Sequence, residues 1–222
     1  MYLGKRGQSF LFATLVVPTT HLNAWKSEKF SNVPKNETTV SQQGLLIRVN
    51  SSAGPLIYPL KSKIEILGFK VRGEFKGLPN MTNPSLQGET GFDDYALRLG
   101  FVLPGDKKLS GFKKLIAAQW VKNLYEQVKG EAGIDSVHFF NVTQNPKQVG
   151  QIRTHPGSDL FKEEFFVEVK KSGPFEYDLQ FKKPIEAIAV WLSIDGDDTK
   201  SVYDVLISNL ELHVTDGESY DR

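Results

Sequence analysis

Three carboxylates fall within four residues in Asp195-Gly196-Asp197-Asp198-Thr199. Oxygen donors at that density suit a hard cation such as Ca²⁺, so Asp195, Asp197 and Asp198 are candidate metal ligands. Gly196 permits a tight bend, and Asp93 or Asp94 is available to extend the shell. The ion's role would be structural, tying a loop between two strands. Asp, Gly and Thr are also common turn formers, so an ordinary solvated turn is the competing reading. A Ca²⁺ site takes ~6–8 oxygens, and no glutamate follows at the spacing that closes a helix–loop–helix site.

A second polar group, Arg153, His155 and Asp159, surrounds the turn His155-Pro156-Gly157. With the aromatics Tyr58, Phe92 and Tyr203 it makes up the candidate ligand-binding set. Flat rings stack on the apolar faces of sugars while neighbouring polar groups fix the hydroxyls. A plain solvated loop is the alternative for Arg153, His155 and Asp159. Catalytic signatures are missing. His21, His138, His155 and His213 are scattered, without the HExxH spacing of a zinc hydrolase. Gly-x-Ser-x-Gly, a phosphate loop and GxGxxG are all absent. The chain has no cysteine, which removes disulfides, thiolate metal sites and a cysteine nucleophile. A glycosidase pair needs only two carboxylates ~5–9.5 Å apart, so that chemistry stays open. Glu163, Glu164 and Glu168 share one predicted strand, where alternation puts Glu164 and Glu168 on the solvated face.

The elements that must position these residues are mostly strands. Phe175, Tyr177, Leu179 and Phe181 alternate with Glu176, Asp178, Gln180 and Lys182, the pattern of a strand with one face in a core. From Ile185 to Ile194 both faces are apolar, as in a central strand covered on both sides. Further period-two runs cover Leu45 to Val49, Leu67 to Phe75, Tyr95 to Leu103, Val137 to Asn141, Phe161 to Val169 and Leu206 to Val214. Leu67, Phe69, Val71, Gly73 and Phe75 are assigned to one face. One segment has another period: Phe112, Leu115, Ile116, Gln119, Trp120 and Leu124 recur at helical steps, with Ser110 as N-cap and Gly130 as the stop. Trp120 and Trp191 lie on apolar-patterned faces and are assigned to the core. The fold expected is all-β, a two-sheet antiparallel β-sandwich (jelly roll, galactose-binding-like) with one inserted α-helix.

The early Trp25 and Phe30, the run Asp93-Asp94-Tyr95-Ala96-Leu97-Arg98-Leu99, and the strand and loop from Ile188 to Thr199 together resemble an uncharacterised, mainly bacterial family, domain of unknown function three-zero-four-seven. The resemblance covers most of the chain past Ala24. It implies export and a sandwich like that of carbohydrate-binding modules, and it supplies no activity.

At 222 residues with 40% hydrophobic and 24% charged composition, the chain is long enough for one sizeable core. A net charge of +1 argues against nucleic acid as the partner. Lys5 and Arg6 precede the apolar run Phe10 to Val17, and Leu22-Asn23-Ala24 supplies a small-residue end, the order of a secretory signal. The run is too short to cross a bilayer, which takes ~20 residues. A first strand is the other reading of Phe10, Phe12 and Val16. The division expected is therefore a signal peptide over 1–24, one sandwich domain over 25–215 and a polar tail over 216–222, with the protein periplasmic or secreted. These readings favour a non-catalytic binding module for a glycan or cell-envelope component. A glycan-active enzyme using a carboxylate pair and a structural protein of the envelope are the alternatives.

Overall fold

The computed structural model describes residues 12–30, 32–105 and 133–215. Eleven strands join in one continuous hydrogen-bonded sheet that folds over on itself as a sandwich-like, all-β body. The strands are β1 (Phe12–Val16), β2 (Lys26–Ser27), β3 (Glu37–Ser41), β4 (Gly44–Asn50), β5 (Leu56–Lys76), β6 (Leu97–Gly105), β7 (Gly133–Thr143), β8 (Ile152–Thr154), β9 (Phe161–Glu168), β10 (Gly173–Ser193) and β11 (Val202–Thr215). Among the described residues, helical backbone is confined to short 3-10 turns at Leu22–Ala24 and Pro84–Leu86. The helix expected around Phe112 to Leu124, Trp120 included, lies outside the described residues, as does the tail from 216.

The two long strands, β5 and β10, belong to both layers. Their far halves, Gly68–Phe75 and Gly173–Gln180, pair together and continue through β11 to β4 and β3. Their other halves pair as Leu56–Pro59 with Ala189–Leu192, and β10 then passes the sheet on to β6, β7, β9 and β8. Register shifts between Gln180 and Ile185 and between Ala187 and Ala189 mark the passage from one layer to the other. Among the described strands the pairing is antiparallel with one exception: β7 and β9 run parallel.

The main core lies between the layers, where Phe69, Phe101, Phe140 and Phe181 meet with centroids 4.5–6.2 Å apart. Phe166 of β9 reaches across to Phe69 and Tyr177. A smaller second cluster, Ile57, Val102, Ile134, Val137, Phe139, Ala189 and Trp191, covers the opposite face of β5, β6, β7 and β10. This second cover is why Ile188–Leu192 is apolar on both faces, whereas Glu186 just before it is exposed and pairs with Lys63.

The expected face through Leu67 needs a correction. His213 pairs with Gly68 and Val214 with Ile66, so Leu67 is an extra residue in β5. The bulge switches the inward set from Ile64 and Ile66 to Phe69 and Val71 and leaves Leu67 half-buried. The amino-terminal segment is folded in: β1 pairs with β11 in a continuous register, Val17 is fully buried, and the Trp25 indole donates to the Pro18 carbonyl at 2.7 Å. Phe12–Val16 thus takes the strand assignment open to it in the sequence.

Candidate functional site

On the outer face of the β6–β7–β9 sheet, alternation places polar residues in phase with apolar ones. In β6, Leu97, Leu99 and Phe101 enter the main core, while Arg98 shares its face with Gly100 and Val102. In β9, Glu163 falls between Phe161 and Phe165, and the parallel register sets it beside Phe139 of β7. Glu163 is wholly buried and Arg98 nearly so. A buried charge needs partners, and these two have them.

Arg98 is held by three carboxylates: Nη2 lies 3.1 Å from Asp93 Oδ1, Nη1 3.5 Å from Glu163 Oε1, and Nε 3.0 Å from Asp195 Oδ2. Its guanidinium also stacks over the Tyr95 ring at 4.3 Å. Arg153 closes the other side of Glu163 at 2.8 Å and donates to the Gly88 carbonyl. Gly88 has φ of +89°, and a Cβ there would stand 2.5 Å from the Arg153 guanidinium, so the close approach requires glycine. Asn141 donates to Glu163 at 2.8 Å.

His155 Nε2 lies 2.8 Å from Asp93 Oδ2, while the Gly157 N–H donates to Nδ1 at 2.9 Å. A ring nitrogen that accepts carries no proton, so Nδ1 faces Gly157 as an acceptor and Nε2 is the nitrogen that donates to Asp93. Burial would raise the Asp93 carboxyl, but Arg98 and His155 reverse that and hold it at about 2. Burial pushes Asp195 up to about 7 despite Arg98, with Asp94, Asp197 and Asp93 adding to the rise. A guanidinium shared among three carboxylates cannot fully compensate each of them.

Asp93, Arg98, His155 and Asp195 form one wall of a cleft of about 280 Å³, with Glu163 buried behind them. The half-buried rings of Phe30 and Phe161 line it, with Trp191 and Phe139 beneath, and Phe161 meets Phe139 and Trp191 edge to face at 5.2 and 5.8 Å. Phe139 can lie over β6 because Gly100 has no side chain: a Cβ there would stand 2.6 Å from its ring. Asp197 and Asp198 complete the rim.

Of the ligand-binding set expected from sequence, the fold brings Arg153 and His155 together at this wall. Asp159 is exposed and Phe92 half-buried. Tyr58 lies on β5 against Trp25, with ring centroids 5.6 Å apart. Tyr203 is a buried residue of β11 whose hydroxyl donates to the Asp195 carbonyl at 2.7 Å, so it supports the acidic loop from within. The three loop carboxylates turn to different partners: Asp195 to Arg98 and Ser193, Asp198 to the Asp93 N–H, and Asp197 to the rim. Among the described residues, the metal-ligating groups that converge are Asp93, His155 and Glu163, with atoms within 4.8 Å of one another. Arg98 and Arg153 already stand against these carboxylates, so the donor set does not fit Ca²⁺. Sequence reading missed Asp93, Arg98 and Glu163 as a unit. The available signal was a glutamate in the apolar phase of Phe161 and Phe165.

No family model matches the chain, and no curated protein matches it, so the resemblance to an uncharacterised family gains no support. Solved structures with a comparable all-β layout include a xylan-binding module (9% identity over 91% of this chain and 97% of that one, TM-score 0.38). A carbohydrate-binding module described for specific mannan recognition follows (11% identity, 92% and 98%, TM-score 0.34). A third is the exoplasmic/lumenal domain of VIP36 in a Ca²⁺/Man3GlcNAc-bound form (10% identity, 92% and 89%, TM-score 0.36). At these scores they assign no function to this chain.

Proposed function

We propose that the protein is a non-catalytic glycan-binding module of jelly-roll type whose ligand seats in the cleft between the Phe30 and Phe161 rings and the Asp93–Arg98–His155 wall. The observation that carries this is a pair of half-buried aromatic rings beside planar hydrogen-bonding groups whose positions are fixed by ion pairs. Rings of that kind receive the C–H faces of a sugar, and a pre-positioned polar wall binds hydroxyls without first losing side-chain freedom.

Binding is favoured over hydrolysis by the state of the carboxylates. A glycosidase keeps its pair ~5–9.5 Å apart across the sugar. Asp93 and Asp195 lie on one wall with Glu163 buried behind it, all three gripped by the same guanidinium. Asp93 is held too acidic to deliver a proton near neutral pH, and Asp195, though raised to about 7, is engaged by Arg98 and Ser193. Location in the periplasm or outside the cell belongs to the same proposal. It rests on Lys5-Arg6 ahead of the Phe10 to Val17 run, and fractionation of the native host tests it.

The test of binding is a panel of immobilised oligosaccharides followed by calorimetry. Phe161→Ala is expected to weaken binding about fivefold or more, the effect of ~1 kcal/mol of ring contact. A folded protein that binds no glycan on a broad panel overturns the proposal.

A further inference from the structure

Among the described residues, the cleft is lined by more carboxyl groups than cations. Asp93, Asp195, Asp197 and Asp198 line it, with Arg98 as the lining cation. Behind the wall, Glu163 faces Arg153 at 2.8 Å. Asp94 accepts from the Thr199 N–H and hydroxyl, while Lys200 donates to the Asp197 carbonyl at 2.6 Å. His155 is engaged by Asp93 and by the Gly157 N–H. Among the described residues, six carboxyl groups thus stand against three permanent cations, and each of those cations is already engaged. Mutual repulsion shows in the acids: burial raises Asp197, and Asp94 and Asp198 add to the rise.

Resting on the glycan-binding reading above, we propose that this cleft selects amine-bearing sugars and rejects acidic ones. An ammonium on the sugar ring, placed near Asp197 and Asp198 with the ring against Phe161, would supply the countercharge that the wall lacks. A uronate or sulfate would enter with no unengaged cation among the described lining residues to receive it and with carboxyl groups facing it. A neutral sugar keeps the ring contact alone.

The experiment is a panel in three matched charge classes on several backbones: amine-bearing, N-acetylated or otherwise neutral, and uronate- or sulfate-bearing oligosaccharides, each titrated by calorimetry at two salt concentrations. We expect the amine-bearing member to bind at least about tenfold more tightly than its acetylated counterpart, equivalent to ~1.4 kcal/mol, with the gap shrinking at high salt. Asp197→Asn combined with Asp198→Asn should narrow that gap. An acidic member that binds as well as the amine-bearing one, or a preference that the double variant leaves intact, overturns the charge selection while leaving glycan binding standing. Absence of binding in all three classes overturns the glycan reading itself.

Discussion

Asp94 and Thr199 are joined by two hydrogen bonds, the Asp94 carboxylate accepting the Thr199 N–H at 2.7 Å and its hydroxyl at 2.6 Å. This contact fastens the approach to β6 onto the loop after β10. The same carboxylate accepts the Asp198 N–H at 3.3 Å, and Asp198 in turn accepts the Asp93 N–H at 3.0 Å. The acidic loop is thereby set against Asp93, and Asp195 is delivered to Arg98. The chemistry of the wall depends on this clamp as much as on the ion pairs themselves.

Replacing Arg98 should be among the most damaging changes in the chain. Arg98→Met removes the one group shared by Asp93, Glu163 and Asp195 and leaves buried negative charge unpaired. A loss of about 3–5 kcal/mol is expected in urea melts. Arg98→Lys should recover only part of it, because one ammonium cannot present separate donors to three carboxylates.

The pH dependence of stability should contain two opposed contributions. Asp195 is raised from its ordinary 3.8 to about 7 by burial, so between those values the folded chain holds the extra proton. Its contribution to stability therefore falls as pH rises towards 7. His138 is lowered from 6.5 to about 4 by burial and Lys162, so there the unfolded chain binds the extra proton. Its contribution falls as pH drops from 6.5 towards 4. Asp195→Asn should leave a stability that climbs with pH across this window, and His138→Gln one that declines. Denaturant melts at stepped pH read both slopes directly.

Gly100→Ala tests the packing under the cleft. The new methyl would stand 2.6 Å from the Phe139 ring and 3.2 Å from Trp191 Cβ. Destabilisation of about 1–3 kcal/mol is expected, together with a change in tryptophan emission as Trp191 shifts. A neutral result would show that the second cluster is loosely packed.

A chain starting at Trp25 tests the two readings of the amino-terminal segment. It lacks β1, the buried Val17 and the carbonyl that accepts the Trp25 indole. We expect it to melt below the full chain. Equal melting temperatures would make residues 1–24 dispensable to the fold, as a cleaved leader must be.

Strands with one polar face were legible from alternation alone, since Phe175, Tyr177 and Leu179 do turn towards the core. They do so half-buried, near the open side of the sandwich. Leu179→Ala should accordingly cost less than Leu99→Ala, for which about 2–5 kcal/mol is expected in the same melts. The β5 bulge was not legible, because nothing in Ile66-Leu67-Gly68-Phe69 states which residue is skipped; two neighbouring strands decide it. Nor was the wall of the cleft. Asp93, Arg98, Glu163 and Asp195 are brought together by pairings between distant strands, and alternation reports the face of a residue without naming its neighbours across the sheet. The burial of Tyr203 was not legible either, because the alternation marks the last strand only from Leu206 whereas β11 begins at Val202.

The pairing of β1 with β11 also orders events in time. Among the described strands β1 is made first and its partner last, and the stretch from Val16 to Val202 takes roughly 10–40 s to synthesise at ~5–20 residues per second. Throughout that interval the segment Phe12–Val16 has no native partner strand to join. Any targeting factor, chaperone or protease that recognises this segment therefore meets it well before the sheet can claim it.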